Sequence, residues 1–363
     1  MNITLTISSL RAGGAEKVLS ALANYLTKKH QVTIVTLAAN TSKPFYFLHS
    51  SINLIQLDQT DEDRGGFLGR ITNIIKRLIS LRKAIKNSRP DGVISFVDVM
   101  NITTLIATLG LKIPIVISER IDPHFHEIPS FYKWLRLRFY PLCSQLVVQI
   151  QSSANYFPKS FQKFISIIAN PVSRPEIQKS IYSKRIKNLI CVGRLDNQKD
   201  HVTLIKAFAR VTTQYPGLTL TIYGEGAGRK KLENLISELK LHKTVHLPGI
   251  TQNIQNALIN ADLFVFPSLY EGFPNALCEA MAIGLPIIAS NCTGNVDVIE
   301  DYVNGKLFPV GDHESLTKII IDYLKDPEKL VGLSQKGKEI CKTYDPDKIF
   351  SKWEKIIESS AKL

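Results

Sequence analysis

The sequence has few cysteines, and their positions match no common cysteine chemistry. The five cysteines are scattered along the 363-residue chain and form no CxxC pair. This distribution indicates neither a disulfide framework nor a zinc site. We therefore expect a reducing, cytoplasmic environment.

Long hydrophobic runs are also absent. No apolar stretch approaches the roughly 18 residues that cross a bilayer as a helix. The first seven residues lack the charged region and the cleavage site of a signal peptide, and they predict a β-strand instead. A membrane-spanning protein is therefore not expected.

The composition is that of a globular protein, and its charge is unevenly distributed. Hydrophobic residues make up 44% of the chain and charged residues 21%, and the length favours two domains. The net charge is +13: residues 1–170 contain 20 Lys and Arg against 10 Asp and Glu, and the remainder contains 25 against 22. An anionic partner of the first half is expected. Nucleic acid, a membrane surface and a phosphorylated substrate all fit.

Short runs rich in β-branched residues alternate with helical patterns, which is typical of βαβ units and parallel sheets. The alternation stops at Asn170-Pro171 and restarts at Asn188. We predict an α/β protein in which two facing Rossmann-like, doubly wound domains form a cleft. The predicted parts are a first domain at 1–170, a linker at 171–187, a second domain at 188–346, and a helix at 347–363 that packs back on the first domain. Ligands should bind at the carboxyl ends of the strands, in this cleft.

A glycine-rich turn follows the first predicted strand. Gly13 and Gly14 let the backbone approach a ligand closely, and the helix after them begins with free N–H groups and a positive dipole end. This arrangement suits a phosphate group or a sugar hydroxyl. A plain strand-to-helix turn explains the same residues equally well, because the spacing is not that of a dinucleotide-binding motif.

Two cations follow the first strand of the second half. Arg194 lies at the strand end, and Lys199 lies five residues later in the loop before a helix. Arginine offers a fork of donors and lysine a point charge, so the two can converge on a diphosphate. Two unrelated surface cations are the alternative.

Two glutamates bracket a loop that leads from an apolar strand into a helix. Glu271 lies in the loop, and Glu279 lies eight residues later on the helix. The helix start between them presents backbone N–H groups to anionic oxygens. One carboxylate for a sugar and one for ribose hydroxyls would flank a diphosphate held there. A solvated loop acid with a helix-surface acid is the alternative, but the apolar strand and the loop favour a ligand site.

A basic amphipathic helix is predicted in the first half. Residues 64–90 contain eight basic side chains and no acidic one, with isoleucine and leucine at helical spacing. The helix fits an anionic membrane or a diphosphate lipid, while a core-facing stripe with a solvated basic face is the alternative. A second cluster around Trp134 also mixes basic and apolar residues. Nucleic acid fits less well, since no recognition motif accompanies the charge. The residues assigned to the lipid side are Lys76, Arg77, Lys83 and Lys86.

Five motifs together resemble glycosyltransferase family 4, whose members are retaining, nucleotide-sugar-dependent enzymes of the GT-B fold. They occur in the family's order and spacing: Gly13-Gly14-Ala15-Glu16, Gly193-Arg194 with Lys199, Gly224-Glu225-Gly226, Pro248-Gly249, and Glu271 with Glu279. More closely, through Ile117-Ser118-Glu119, the basic helix and general similarity, the sequence resembles bacterial enzymes that extend undecaprenyl-diphosphate-linked glycans. These include N-acetylgalactosaminyltransferases of protein N-glycosylation and enzymes of O-antigen or capsule assembly.

The resemblance implies a role for each matched residue. Arg194 and Lys199 would bind the donor diphosphate and stabilise the leaving group. Glu271 would contact the donor sugar, and Glu279 the ribose. The rest of the donor site would include Gly13, Gly14, Gly224, Glu225, Gly249, Asn275, Ala276 and Leu277. The acceptor side would include Glu119 and Arg120, the latter at a position where relatives often carry histidine.

The implied reaction moves a hexose or N-acetylhexosamine from a UDP-sugar to a polyprenyl-diphosphate-linked glycan. In such a mechanism the leaving phosphate takes the acceptor proton, so neither a metal nor another cofactor is expected. The acidic run 61–63 is interpreted as solvated charge, and His124 and His126 as loop residues rather than metal ligands. The anionic membrane surface is an expected partner, which places the protein peripherally on the inner face of the cell membrane.

Two other functions share the predicted architecture. A catalytically silent subunit would bind a glycolipid or a partner enzyme, and a sugar-nucleotide epimerase would need additional catalytic acids. The complete set of Arg194, Lys199, Glu271 and Glu279 favours an active transferase.

Overall fold

The structure, a computed structural model, describes residues 1–59, 67–179 and 185–362. The acidic run 61–63 lies outside these ranges. The chain divides into two compact units, one of Met1–Pro171 with Asp347–Leu363 and one of Val172–Pro346. The described part of the predicted linker therefore belongs to the second unit, apart from Pro171. Each unit contains one parallel sheet with helices between its strands, which confirms the prediction of two doubly wound α/β domains.

Parallel strands form the sheet of the first unit. They are β1 (Asn2–Ile7), β2 (Gln31–Thr36), β3 (Asn53–Gln56), β4 (Gly92–Phe96), β5 (Ile115–Ser118), β6 (Gln145–Val148) and β7 (Ile165–Ile167), in the order β3-β2-β1-β4-β5-β6-β7. The strands β4 and β5 are buried along their whole length, as expected of strands covered on both faces. The order reverses between β1 and β4, so their carboxyl ends flank the position where ligands bind in such sheets.

The sheet of the second unit is also parallel. Its strands are β8 (Asn188–Val192), β9 (Thr219–Tyr223), β10 (Val245–Gly249), β11 (Leu263–Phe266), β12 (Ile287–Ser290) and β13 (Lys306–Phe308), in the order β10-β9-β8-β11-β12-β13. The strand β11 is buried throughout, in agreement with its continuous apolar sequence. Here the order reverses between β8 and β11, and this position is the switch point of the second sheet.

Helices cover the sheets and bury their apolar faces. In chain order they are α1 (Gly14–Leu26), α2 (Phe67–Ser88), α3 (Asp98–Ala107), α4 (Ser130–Phe139), α5 (Gln151–Tyr156), α6 (His201–Gln214), α7 (Arg229–Glu238), α8 (Ile254–Asn260), α9 (Asn275–Ile283), α10 (His313–Lys325), α11 (Lys329–Gly337), α12 (Ile340–Thr343) and α13 (Pro346–Ser360). Leu81 and Ile85 of α2 pack into the core of the first unit with Leu105 of α3. Leu204 and Phe208 of α6 do the same in the second unit.

The C-terminal helix α13 packs on the first unit. Trp353 is buried, and its ring centre lies 5.4 Å from that of Phe96 at the end of β4. The Glu354 carboxylate accepts a hydrogen bond from Lys29 Nζ at 3.2 Å and lies 3.0 Å from His30 Nε2. Aromatic packing and ion pairs therefore both hold this helix in place.

Candidate active site

The loops after two neighbouring strands meet at the switch point of the second sheet. One loop follows β8 and the other follows β11, and the two strands are paired in parallel. Gln198 joins the loops, because its carbonyl oxygen accepts from Leu269 N–H at 2.8 Å and its Nε2 donates to the Tyr270 carbonyl oxygen at 2.9 Å. The next residue on each loop, Lys199 and Glu271, is thereby brought side by side.

Lys199 and Glu271 form a buried ion pair. The lysine Nζ lies 2.5 Å from Glu271 Oε1, and the two side chains are 14% and 7% exposed. The ammonium group also lies 5.1 Å from the centre of the Phe266 ring, within cation–π distance. A buried pair offsets its desolvation only when the geometry is good. The site therefore holds one group of each charge in a defined position.

The loop that carries Lys199 is ordered by two aspartates. Asp196 accepts a hydrogen bond from the Lys199 backbone N–H at 3.2 Å and caps a short 3₁₀ turn. Asp200 has a φ of 43°, and its side chain accepts from Thr203 N–H in the first turn of α6. Asparagine and aspartate tolerate this left-handed conformation better than most residues. Lys199 is therefore held between two local caps.

Arg194 lies on the same loop but extends into solvent. Its side chain is 66% exposed, 3.3 Å from Asp196 Oδ2, and its Nη2 donates to Gln198 Oε1 at 2.9 Å. The Arg194 carbonyl oxygen accepts from the buried His201 Nε2 at 3.0 Å. Burial lowers the pKa of His201 to about 4, so the ring is neutral at pH 7. The backbone of Arg194 is thus fixed while its guanidinium can reach a ligand.

The loop after β12 packs against the backbone and the Cβ atom of Glu271. The Glu271 N–H donates to the Thr293 carbonyl oxygen at 3.0 Å. Gly294 has a φ of 82°, and a Cβ atom there would lie 2.7 Å from the Cβ of Glu271. Only glycine satisfies both the backbone conformation and this close approach. Gly294 is therefore a positioning residue for the Glu271 carboxylate.

The glycine-rich segment after β9 contacts both the loop after β8 and the last residue of β10. Gly224 has a φ of 148°, and any side chain there would collide with the Gly193 carbonyl oxygen. Its N–H donates to the Gly249 carbonyl oxygen at 2.9 Å. Glu225 accepts from Arg229 Nε at 2.8 Å, and this hydrogen bond lowers the pKa of the Glu225 carboxyl group. In this structure Glu225 is paired with α7 and does not offer an unpaired carboxylate.

The helix α9 carries the second glutamate of the predicted pair. Its first residues, Asn275 and Ala276, are half-buried, whereas Leu277 is buried. Pro274 precedes the helix and provides no side-chain cap. Glu279 lies half-buried about one turn after the start of the helix. The loop with Glu271 thus leads directly into the helix start, as predicted.

In the first unit the glycine-rich turn lies at the carboxyl end of β1. Gly13 is the N-cap residue of α1, and the carboxylate of Glu16 folds back so closely that it would contact a Cβ on Gly13. A cavity of about 230 Å³ lies beside this turn and is lined by Arg11, Arg77 and Val99 among others. Arg77, predicted on the lipid side, therefore lines a cavity at the carboxyl edge of the sheet.

Glu119 lies in a buried network at the carboxyl end of β5. Its Oε1 accepts from the Tyr140 hydroxyl at 2.5 Å and lies 3.3 Å from Arg136 Nε. Arg136, on α4, also contacts Asp98 Oδ2 at 3.4 Å. Burial raises the pKa of Glu119 despite the neighbouring Arg136 charge. The carboxylate predicted for acceptor contact is thus engaged within the domain. Arg120, next in sequence, is buried as well.

The basic helix α2 is buried along only part of its length. Leu81 and Ile85, in its second half, are buried, whereas isoleucines nearer its start are exposed. These isoleucines are Ile71, Ile74, Ile75 and Ile79. Lys76, Lys83 and Lys86 are exposed on the same helix. The predicted core-facing stripe is therefore present, but it accounts for only part of the apolar residues.

The aromatic cluster on α4 is also exposed. Phe131, Trp134 and Leu137 are all more than half exposed, and the first two rings are stacked with centres 6.3 Å apart. Within the described ranges 1–59, 67–179 and 185–362, no helix combines the length and apolar composition of a membrane span.

The two histidines considered as metal ligands each contact a buried aspartate. His124 Nδ1 lies 2.9 Å from Asp122 Oδ1, and His126 Nε2 lies 3.1 Å from Asp98 Oδ2. Among the described residues, one group has three potential ligands close together: His30, Glu354 and Glu358. Lys29 Nζ already lies 3.2 Å from Glu354, so this group is an ion-pair network between α13 and the rest of the first unit.

Family comparisons match both halves of the chain. The model described as Glycosyltransferase Family 4 matches residues 12–174, and the one described as Glycosyl transferases group 1 matches residues 173–340. Over 98% of each chain, the sequence is 31% identical to a Campylobacter jejuni enzyme, GalNAc-alpha-(1->4)-GalNAc-alpha-(1->3)-diNAcBac-PP-undecaprenol alpha-1,4-N-acetyl-D-galactosaminyltransferase. The chain belongs to glycosyltransferase family 4.

Other proteins are similar to this glycosyltransferase. The Escherichia coli UDP-Gal:alpha-D-GlcNAc-diphosphoundecaprenol alpha-1,3-galactosyltransferase is 28% identical, over 72% of this chain and 73% of that protein. The crystal structure of Anabaena Alr3699/HepE in complex with UDP and glucose has a TM-score of 0.79 at 19% identity, covering 99% of this chain and 100% of that one. That likeness shows the fold, and the predicted GT-B fold and family are confirmed.

Several positioning residues of the glycosyltransferase were not predicted. Gln198 bridges the two loops, Asp196 caps the turn before Lys199, and Gly294 supports Glu271. Gly294 follows the strand β12 in a polar, glycine-containing loop, which is the signal that could have identified it. Gln198 has no such signal, because its partners belong to a loop about seventy residues away in the sequence.

Proposed function

We propose that the protein is a retaining glycosyltransferase that moves a hexose or N-acetylhexosamine from a UDP-sugar to a polyprenyl-diphosphate-linked glycan. The observation that carries this proposal is the buried pair of Lys199 and Glu271, on the same loops as the exposed Arg194. These residues offer cations for a diphosphate and a carboxylate for a sugar. The names of the two relatives support the substrates, since one refers to an undecaprenol-linked glycan and the other to UDP-Gal.

The cations act on the leaving group. Charge develops on the nucleoside diphosphate as it departs, and preorganised positive groups stabilise it. The exposed guanidinium of Arg194 can donate hydrogen bonds to two phosphate oxygens, whereas Lys199 provides a point charge from a fixed position. Glu271 accepts hydrogen bonds from hydroxyls of the donor sugar, and Glu279 accepts from those of the ribose.

The sugar is transferred with retention of its anomeric configuration. The bond between C1 of the donor sugar and the phosphate oxygen breaks, and the acceptor hydroxyl attacks C1 from the same face. The hydroxyl proton passes to the departing phosphate oxygen, so charge and atoms balance. Arg194 and Lys199 carry the compensating charge, and the step uses neither a metal ion nor a protein nucleophile.

The first unit holds the protein on the membrane where the acceptor lies. The exposed isoleucines of α2, together with Phe131 and Trp134 on α4, provide apolar anchors. Lys76, Lys83 and Lys86 provide charge for anionic lipids. Peripheral attachment to the inner face of the cell membrane would bring a diphosphate-linked acceptor to the carboxyl edge of the first sheet.

The proposal is tested by donor turnover with and without acceptor. Purified protein is incubated with a panel of UDP- and GDP-sugars, and release of the nucleoside diphosphate is measured with and without an undecaprenyl-diphosphate-linked glycan. We expect acceptor-dependent UDP release, and an NMR spectrum of the product with the same anomeric configuration as the donor. Tighter binding of GDP than UDP in calorimetry, or an inverted product, would contradict the donor or the mechanism.

Two other outcomes identify the alternative functions. Conversion of one UDP-sugar into its epimer without acceptor indicates an epimerase. Binding of glycolipid without turnover of any donor indicates a catalytically silent subunit. Either result would overturn the proposed transfer reaction.

A further inference from the structure

Arg120 is a buried arginine at the carboxyl edge of the first sheet. It lies two residues after the end of β5, and its relative exposure is 9%. The guanidinium carbon lies 4.7 Å from the centre of the Phe96 ring, at the end of the neighbouring strand β4. Ligands bind at this edge in open α/β sheets. Arg120 therefore lies where a substrate can be expected.

The hydrogen-bond partners of the Arg120 side chain are all neutral. Nη1 donates to Ser118 Oγ at 3.3 Å, Nη2 donates to Asn170 Oδ1, and Nε has no partner. The amide of Gln149 completes the group, at 2.8 Å from Asn170 Oδ1. Among the described residues, no carboxylate lies within ion-pair distance of Arg120. The carboxylate next to it in sequence, Glu119, points instead to Tyr140 and Arg136.

A second buried arginine in the same unit shows the usual arrangement. Arg136 is also buried, but Asp98 and Glu119 both lie beside its guanidinium. Buried cations are normally paired in this way, because an isolated charge is strongly disfavoured away from water. Burial lowers the pKa of Arg120 to about 9, so the side chain still carries its charge at pH 7. Arg120 is thus a buried positive charge for which the described chain provides no counter-charge.

We propose that Arg120 binds an oxyanion of a substrate, a phosphate or a carboxylate group, which supplies the missing counter-charge. The identity of that substrate as a sugar donor or a diphosphate-linked acceptor rests on the proposed function. The planar guanidinium suits an oxyanion, which accepts two parallel hydrogen bonds from arginine, and each Nη atom has a second N–H besides the one donated to Ser118 or Asn170. Ser118, Gln149 and Asn170 then orient the guanidinium through neutral hydrogen bonds, so they do not compete for the anion.

The test measures anion binding by the full-length protein. Three probes distinguish the sources: UDP for the donor phosphates, inorganic pyrophosphate for the acceptor diphosphate, and glucuronate for a sugar carboxylate. The affinity for each probe is measured by calorimetry for the wild type, Arg120→Gln and Lys112→Gln. The rise in Tm that each probe causes is measured for the same three proteins. Lys112 is the matched control because it is an exposed cation before the amino end of β5, at the opposite edge of the sheet.

We expect Arg120→Gln to bind at least one probe about tenfold or more weakly, as the loss of a charge-assisted fork implies. Lys112→Gln should bind that probe with unchanged affinity. Without anion, Arg120→Gln should unfold at a Tm no lower than that of the wild type, because it removes an uncompensated buried charge. The probe that shows the Arg120 dependence identifies the source of the oxyanion.

Other results would overturn the proposal. Unchanged affinity of Arg120→Gln for all three probes, or a wild type that binds none of them, would show that Arg120 is structural. If Arg120→Gln does not fold, Arg120→Lys keeps the charge without the fork, and an affinity equal to that of the wild type would also contradict the proposal. Failure of the wild type to transfer sugar would contradict the proposed function alone, since these binding measurements use no turnover.

Discussion

Lys199 Nζ and Glu271 Oε1 lie 2.5 Å apart, although 72 residues separate them in the sequence. The contact forms because their loops follow β8 and β11, which are neighbours at the switch point of the second sheet. Under the proposed function, a donor diphosphate would compete with Glu271 for Lys199, and a sugar hydroxyl would compete with Lys199 for Glu271. The contact therefore holds both charges that we propose for donor binding in a defined position.

Arg194→Ala and Lys199→Ala should both lower turnover by at least about tenfold, since one charge-stabilising contact is worth a few kcal/mol of barrier. Their effects on stability should differ. Lys199→Ala leaves the Glu271 carboxylate buried and unpaired, so it should lower the free energy of unfolding by about 3 kcal/mol. Arg194 is mainly exposed, so Arg194→Ala should leave that free energy unchanged. Rates at saturating donor and urea unfolding curves check both statements. Near-wild-type rates would show that these residues do not stabilise the leaving group.

Glu271→Gln and Glu279→Gln should separate sugar binding from ribose binding. Glu271→Gln should impair transfer without weakening the binding of free UDP, because its proposed partner is the sugar and its loss leaves Lys199 available to the diphosphate. Glu279→Gln should weaken UDP itself by roughly tenfold, since a hydrogen bond to a charged group is worth about 1.5–3 kcal/mol. Calorimetry with UDP and initial rates with a UDP-sugar measure the two effects. Equal weakening of UDP by both variants would show that the division of roles is wrong.

Gly294→Ala should displace Glu271. A residue other than glycine costs on the order of 1–2 kcal/mol at a φ of 82°, and the added Cβ would also press on Glu271. Gly311→Ala is the matched control, because Gly311 has a φ of 76° but no atom within 4 Å of an added Cβ. Both variants should lose stability, but only Gly294→Ala should lower turnover. Equal turnover in the two variants would show that Gly294 has no positioning role.

The contacts of α13 should depend on acidic pH through Glu354. Burial raises the pKa of Glu354, but hydrogen bonds from Lys29 and His30 outweigh it, and the pKa lies below its ordinary value of 4.5. A group with a lowered pKa stabilises the fold above the unfolded pKa, and this contribution is lost as pH falls through the folded pKa. The difference between the free energies of unfolding of the wild type and Glu354→Gln should therefore be constant above about pH 5.5. It should become smaller as the pH falls below the ordinary pKa. Thermal unfolding from pH 7 to pH 3.5 measures it, and a difference that does not change with pH would contradict the role of Glu354.

Membrane attachment should depend on the lysines of α2. Each basic residue near an anionic surface contributes about 1 kcal/mol, so changing Lys76, Lys83 and Lys86 to Gln should reduce co-sedimentation with anionic liposomes. Arg77 is left unchanged because it lines the cavity in the first unit. The attraction is screened within about 8 Å at physiological salt, so recovery with wild type should also fall as salt rises.

The control for the membrane experiment removes the same charge from the second unit. It is a variant with three exposed lysines changed to Gln, namely Lys230, Lys243 and Lys325. This control should sediment like the wild type. Equal recovery of all three proteins in the supernatant at low salt would show that α2 does not bind the membrane.

The central strands and the residue types of the candidate site could be predicted from the sequence. The buried strand β11 is a continuous apolar run, and such a run can be recognised without knowledge of the neighbouring strands. The strands β3, β7 and β13 were not predicted. They form edges of the two sheets, and β3 and β7 contain no fully buried residue, so their hydrophobic pattern is weak.

For α2, periodicity predicted the helix but not which part of it is buried. Ile74, Leu81 and Ile85 recur at helical spacing on one face. Leu81 and Ile85 are nevertheless buried, whereas Ile74 is exposed. The difference depends on how far along the helix the rest of the unit covers this face, and spacing alone does not show that.

The fold class, the family, and the presence of Arg194, Lys199 and Glu271 on loops that follow strands could be inferred from the amino-acid sequence alone. The motifs that identify these features are local, so spacing along the chain is sufficient to find them. The pairing of Lys199 with Glu271, and the purely neutral hydrogen-bond partners that Arg120 has among the described residues, could be learned only from the folded chain. These contacts depend on which strands become neighbours in a sheet, and strand order arises from the packing of the whole unit.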